Sequence, residues 1–271
     1  MTGFDAGWLD LREPVDAVSR DPELIAAAAA FLGGVPAPLA VDLGCGTGSN
    51  LRAFAARAPA GLRWRLVDHD QRLLDIAAAR CGPGVDVLAR DISDPAAIPL
   101  EGARLVTASA LLDLVSEGWI EALAERVVAA GAGFHTSLIY DGFMEWTPEL
   151  PEDGVIVEAF NAHQRSDKGF GQALGPAAPA AVVAAFERRG YAVRRSASMW
   201  RIEPQMAALH EALVEGIAAA AGESGVDAAR GWGQARRASS GTSVCCVGHA
   251  DILALPAGAS AQSNRTSPPR P

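Results

Sequence analysis

The chain has little of what several large functional classes need. Its 271 residues include only four cysteines, Cys45, Cys81, Cys245 and Cys246, and no spacing among them suits a metal ion. Reduced thiols in a cytosolic protein are the direct reading. Positive charge is also short: 23 Lys and Arg stand against 32 Asp and Glu, a net charge of -9. Arg188-Arg189, Arg194-Arg195 and Arg236-Arg237 are isolated pairs, so the basic stripe that a nucleic-acid surface needs is missing. No apolar run is long enough to cross a membrane. The start, Met1 to Asp5, has neither the basic region nor the apolar stretch of a secretory signal.

What the chain does have is an alternation of strand-like and helix-like runs, which calls for a parallel sheet covered on both faces. Strand-like runs end near Leu43, Asp68, Ala89, Thr107, Ile139, Val193 and Val247, giving a doubly wound sheet of seven strands with the last one reversed. The first runs into Asp42-Leu43-Gly44-Cys45-Gly46-Thr47-Gly48, and a helix starts at Ser49-Asn50-Leu51. Glycine at alternate positions lets the backbone turn sharply and approach a ligand closely. The register is not that of a dinucleotide fingerprint, since Ser49 or Leu51 stands where its last glycine belongs. A P-loop would need Gly-Lys-Ser/Thr, which is absent.

The pattern Asp42-x-Gly44-x-Gly46-x-Gly48 resembles motif I of the class I S-adenosylmethionine (SAM) dependent methyltransferases, with the motifs spanning about Leu39 to Thr107. That resemblance implies SAM as cofactor, held by Asp42, Gly44, Cys45, Gly46, Gly48 and Asn50. It gives the acid after the second strand, Asp68, the ribose hydroxyls, an offset from the glycines that suits this role. His69 flanks that acid and Asp70 is the alternative to it. Asp91 would receive the adenine amino group and Ile92 would pack on the ring; a helix cap or turn is the other reading of Asp91. Ser109, at the end of the fourth strand, lies where the family places methyl transfer. Neither the Asn-Pro-Pro-aromatic run nor the Pro-Cys pair of nucleobase methyltransferases occurs there, which turns the reading away from base methylation. Asp113 reads as a solvated or capping acid.

Three segments lie outside this core. A leader, residues 1–38, has Trp8 to Pro14 and then a helix from Pro22 to Leu32 capped by Asp21. By resemblance it folds over the cofactor, with Arg12 either on the SAM carboxylate or paired with Glu13 or Asp16. Residues 140–178 mix aromatics and polar groups in an irregular connection expected to cover the acceptor. A proton acceptor is expected there, His163 first and Tyr140 and Asp141 second; His163, Gln164, Arg165 and Lys168 are candidates for touching the substrate, and His135 reads as a satisfied core group. Residues 203–238 read as a helix through Leu209, Leu213 and Ile217, then a looser stretch with Trp232, serving as a lid, a dimer-packing pair or a pocket wall. The methyltransferase domain is thus residues 39–254, and the tail, 255–271, is expected to be disordered.

The functional expectation is a cytoplasmic enzyme that methylates an oxygen or nitrogen of a small molecule, with no nucleic-acid or membrane partner and a homodimer as an open option. The alternatives are a non-catalytic SAM-binding partner or sensor and a protein methyltransferase. An aminopropyl transferase would need more acids than Asp113 after the fourth strand.

Overall fold

The computed structural model describes residues 5–258. Two helices lead, α1 (Ala6–Ser19) and α2 (Pro22–Leu32). Asp21 caps α2 by accepting from the Glu23 and Leu24 amides, and Pro22 takes the first turn, where its missing N–H has no partner to lose. Then come β1 (Leu39–Leu43), α3 (Ser49–Phe54), β2 (Arg63–Asp68), α4 (Gln71–Cys81), β3 (Val85–Ala89), β4 (Leu105–Ser109) and α5 (Glu117–Ala129). The rest is β5 (Gly133–Thr147), α6 (Asp153–His163), α7 (Ala178–Glu187), β6 (Tyr191–Ala197), β7 (Trp200–Ile202), α8 (Ala207–Glu223), α9 (Ala229–Ala238) and β8 (Val244–Pro256).

Across the sheet the order is β3-β2-β1-β4-β5-β8-β6, with β7 also paired to β8. The first five strands run parallel, and β8 runs antiparallel to β5, β6 and β7. This is the doubly wound, mostly parallel sheet read from the sequence, with one short strand more. β1 sits mid-sheet between layers of helices and is buried along its whole length, which is why it is apolar apart from Asp42. One core, around Val41, Val106, Trp119 and Phe134, lies under α5 and α7. Another, around Leu32, Phe54, Leu66 and Leu74, lies on the opposite face.

Three expectations change. Residues 140–147 are the extension of β5, Tyr140 paired with His249 and Met144–Thr147 with Val247–Val244 of β8 across a register shift, and 153–163 are a helix, so the segment is far less irregular than its composition suggests. The stretch with Trp232 is a regular helix, α9, although Gly231 and Gly233 lower its propensity. Gly233 has a packing reason, because a Cβ there would stand 2.9 Å from Ala218 Cβ on α8. Finally, β8 continues to Pro256 opposite Tyr191, while residues 259–271, with the rest of the expected tail, lie outside the described residues. α6, α8, α9 and the outer ends of β5 and β8 enclose a third core with Trp146, Trp200 and Trp232.

Candidate functional site

The loop after β1 is shaped by its glycines. Gly44, Gly46 and Gly48 have φ of 60°, 53° and 83°, the left-handed region that L side chains avoid. The Gly46 amide donates to Asp68 Oδ2 (2.9 Å), which joins the ends of β1 and β2. A Cβ on Gly46 would approach Leu9 Cδ1 of α1 at 3.1 Å, so α1 lies directly over this turn. Ion pairs hold it there: Glu13 receives both Arg52 Nε (2.7 Å) and Nη2 (2.6 Å), and Asp10 pairs with Arg80.

Under α1, at the carboxyl ends of β1, β2 and β4, is a cavity of about 300 Å³. Its wall includes Asp42, Gly44, Cys45, Gly46 and Asn50 from the first loop, Asp68 and His69 from the second, and Asp91 and Ile92 from the third. Ser109 and Arg12 complete the set of sequence candidates that the structure brings together. Gly48 stands outside the lining and caps α3, where a Cβ would come within 2.6 Å of Cys81 Sγ. Residues that sequence reading missed are Leu9 and Asp16 from α1, Leu111 and Leu114 after β4, and Gly169-Phe170 from the segment expected to form a cover. Phe170 packs edge-on to Trp119 at 5.8 Å.

The electrostatics of the wall are specific. Asp42 is fully buried, and its Oδ1 accepts from Asn50 Nδ2 (2.9 Å) and Thr107 Oγ1 (2.7 Å). Asp42 Oδ2 and Asn50 Oδ1 have no partner. Burial pushes the Asp42 carboxyl up to about 6, against the pull of these bonds. Asp68 accepts from Gly46 N and, at 3.0 Å, from Asp70 N, which leaves lone pairs on both oxygens. Asp70 instead caps α4 and is held at about 2 by its bonds with Arg72. Asp91 accepts from Ser93 N (2.8 Å), so it serves a turn and the cavity wall at once. Arg12 is buried against Asp16 through two bonds, 2.9 and 3.1 Å, and lies 4.8 Å from the centre of the Trp200 ring.

Arg20 is a cation that no motif announced. It donates to Ser137 Oγ (3.2 Å), Ser109 Oγ (3.0 Å) and Ser49 Oγ (3.5 Å), and has no carboxylate within ion-pair distance among the described residues. Burial lowers its affinity for its proton, with Asp16, Asp251 and Asp42 opposing that from further away. Ser109 and Ser49 line the cavity, and hydroxyls that accept from a guanidinium have their own protons free to donate.

The expected proton acceptors are elsewhere. His163, at the end of α6, turns to Glu223 Oε2 (3.0 Å) and Lys168 Nζ (3.2 Å) and does not line the cavity. Tyr140 donates its hydroxyl to Asn161 Oδ1 (2.8 Å), burial raises its pKa, and Asp141 turns back to the Phe143 amide; neither lines the cavity. Gln164, Arg165 and Lys168 are also absent from the wall. His135 is a core group as expected but an unsatisfied one: both ring nitrogens are without partners, and burial lowers its pKa to about 3.

Residues 40–131 match the family model described as a methyltransferase domain. Among solved structures, the chain is similar to the YcgJ protein of Bacillus subtilis, at 14% identity over 87% of this chain and 100% of that one, with a TM-score of 0.50. It is also similar to an SAM-dependent methyltransferase of Geobacter sulfurreducens in complex with S-adenosylhomocysteine (SAH), at 18% identity over 87% and 91% of the two chains, with a TM-score of 0.45. No curated protein matches the sequence. At 14% identity the likeness to YcgJ speaks for the fold alone. The part of the chain that carries the glycine loop and its partnered acids is thus the part that resembles a methyltransferase domain.

Proposed function

We propose that the chain transfers the methyl group of SAM to an oxygen or nitrogen of a small molecule by in-line displacement. The observation that carries this reading is the concave cavity itself, overlaid by Leu9 and Arg12 of α1 and flanked by Gly169-Phe170. Pockets of this kind, past the carboxyl ends of a parallel sheet, suit small ligands, whereas a protein acceptor needs an open groove. The donor set fits the cofactor. The orphaned Asp42 Oδ2 and Asn50 Oδ1 suit its ammonium, and the Ser109 and Ser49 hydroxyls, polarised by Arg20, suit its carboxylate. The free lone pairs of Asp68 suit ribose hydroxyls, and Asp91 with Ile92 suits adenine.

When bound, the cofactor supplies a methyl group on a sulfonium whose positive charge is quenched on transfer. The acidic wall of Asp16, Asp42, Asp68 and Asp91, opposed by Arg12, favours such a cation. The chain's own work is then positioning and the exclusion of water by Leu9, Leu111, Leu114 and Phe170.

Calorimetric titration with SAM and SAH, followed by labelled-methyl transfer into fractionated cell extract, tests this. Micromolar binding with label in the metabolite fraction is expected. Label in the protein fraction would favour a protein methyltransferase, and binding without transfer would favour a sensor. No binding by folded protein would overturn the reading. Because His163 is engaged by Glu223 and Lys168, His163→Ala is expected to keep both SAH affinity and turnover. Lost turnover at intact SAH affinity would restore it as the base.

A further inference from the structure

The connection from β5 to α7 meets the cavity at a single point. Of residues 140–178, only Gly169 and Phe170 line its wall. They form the tip of a small hairpin, closed by an antiparallel bridge between Asp167 and Gln172 and by the Gly169 amide on Asp167 Oδ1 at 2.7 Å. Its foot rests on the start of α5. There the Leu174 amide donates to the Val115 carbonyl at 2.9 Å, and a Cβ on Gly171 would stand 3.5 Å from Ser116 Cβ.

The contacts of Phe170 say which end of the cavity it serves. Its ring packs edge-on to Trp119, with centres 5.8 Å apart, and the Trp119 indole N–H donates to the Ile92 carbonyl at 2.8 Å. One buried indole thus holds both Phe170 and Ile92, and both line the cavity, with Asp91 beside them in the wall. At this end the wall offers a branched apolar side chain, an aromatic ring and a carboxylate. A charged or sugar-like group finds no partner on the first two. A flat heterocycle with an exocyclic amine uses all three, its faces on Ile92 and Phe170 and its donor on Asp91. Phe170 is only partly buried by the protein itself, so its ring keeps apolar surface for a ligand to cover.

We infer that the hairpin 167–172 closes over the adenine of the cofactor and that Phe170 is the side chain that touches the base. The inference rests on the methyltransferase reading and adds a residue that no motif supplies to its cofactor site. It also reassigns the segment, since the part of 140–178 that reaches the cleft covers the cofactor, where composition pointed to the acceptor. Spent SAH leaves only when Phe170 gives up the base, so the hairpin sets how long the product stays.

5′-Deoxy-5′-methylthioadenosine shares the adenine and ribose of SAH and lacks its amino acid, so it isolates the base end. By calorimetry on the full chain, with the weaker ligand read by displacement of SAH, Phe170→Ala is expected to weaken both ligands by the same factor, about tenfold. In stopped-flow release SAH should leave about tenfold faster, with little change in association. Phe170→Tyr keeps the ring and should stay within about twofold of the wild type on both counts. Unchanged SAH affinity in Phe170→Ala overturns the inference. A loss for SAH with methylthioadenosine unmoved puts Phe170 at the amino-acid end and overturns it too. So does a loss seen as fewer binding sites with an unchanged release rate, the mark of a merely structural residue. If Phe170→Ala does not fold, Phe170→Leu, which keeps apolar bulk without the flat face, is read by the same outcomes with about a threefold loss expected. Absence of SAH binding by the wild type would sink the methyltransferase reading itself, a separate result.

Discussion

The loops around the cavity and the third core are held together by different kinds of contact. Around the cavity the partners are short turns and neighbouring strands: Gly46 on Asp68, Asn50 on Asp42, Asp91 on Ser93. In the third core two buried carboxylates reach across the chain, Asp16 to Trp200 and Asp153 to both Trp232 and Arg236. The first is therefore a local motif, tolerant of what lies around it. The second exists only when α1, β7 and the helices after β7 are all in place.

The largest expected effect is in the third core. Arg236 is buried, bonded to Asp153 and to the Pro148 carbonyl, and Arg236→Ala leaves the buried Asp153 carboxylate without its counter-charge. Urea unfolding should show a loss of about 3–5 kcal/mol. A loss below about 1 kcal/mol would mean that the third core does not depend on this pair.

Next is a gain. The Asp113 carboxyl goes from 3.8 to about 6 on folding, so the folded state holds its proton more tightly. The stability that this gives is full below pH 3.8 and is lost as pH rises through 6. Asp113→Asn, neutral throughout, should therefore raise stability at pH 8 by up to about 3 kcal/mol and give no gain at pH 4. An equal effect at both pH values would remove the buried charge as its cause.

At the cofactor end, Asp68→Ala should weaken SAH binding by about 1–3 kcal/mol, since it strips an acceptor from Gly46 N and from the ribose. Unchanged calorimetry would take the ribose role from Asp68. The smallest effect belongs to the ion pairs on α1. Asp10→Asn, at the partly exposed pair with Arg80, should cost only about 0.2–1 kcal/mol of stability, fading in high salt. A larger, salt-independent loss would show that α1 is held by more than surface charge.

Much of the cofactor end was legible because a strand, a glycine turn and an acid leave their signature within a few residues. Asp42, Asp68 and Ile92 all reach the cavity. Arg20 was not legible: its partners Ser49, Ser109 and Ser137 are scattered along the chain, and only the sheet gathers them. The extension of β5 was hidden for a similar reason. Residues 140–147 mix aromatics and acids, a loop-like composition, and are strand only because β8, about a hundred residues on, supplies the bonds. His163 misled because polar crowding marked its segment as functional while α8 supplied Glu223 to occupy the ring. Asp113 had the opposite fault, since nothing in its neighbours announces full burial.

β8 has a consequence for the order of assembly. It is the strand on which β5, β6 and β7 converge, and its Asp251 carboxylate accepts from the Asp21 amide at 2.8 Å and the Leu138 amide at 2.8 Å. One late residue thus fastens the start of α2 and a bend in β5, two points far earlier in the chain. During synthesis, β1 to β4 can pair with one another before β8 is made, but the anchors of α2 and of the β5 bend on Asp251 must wait for it.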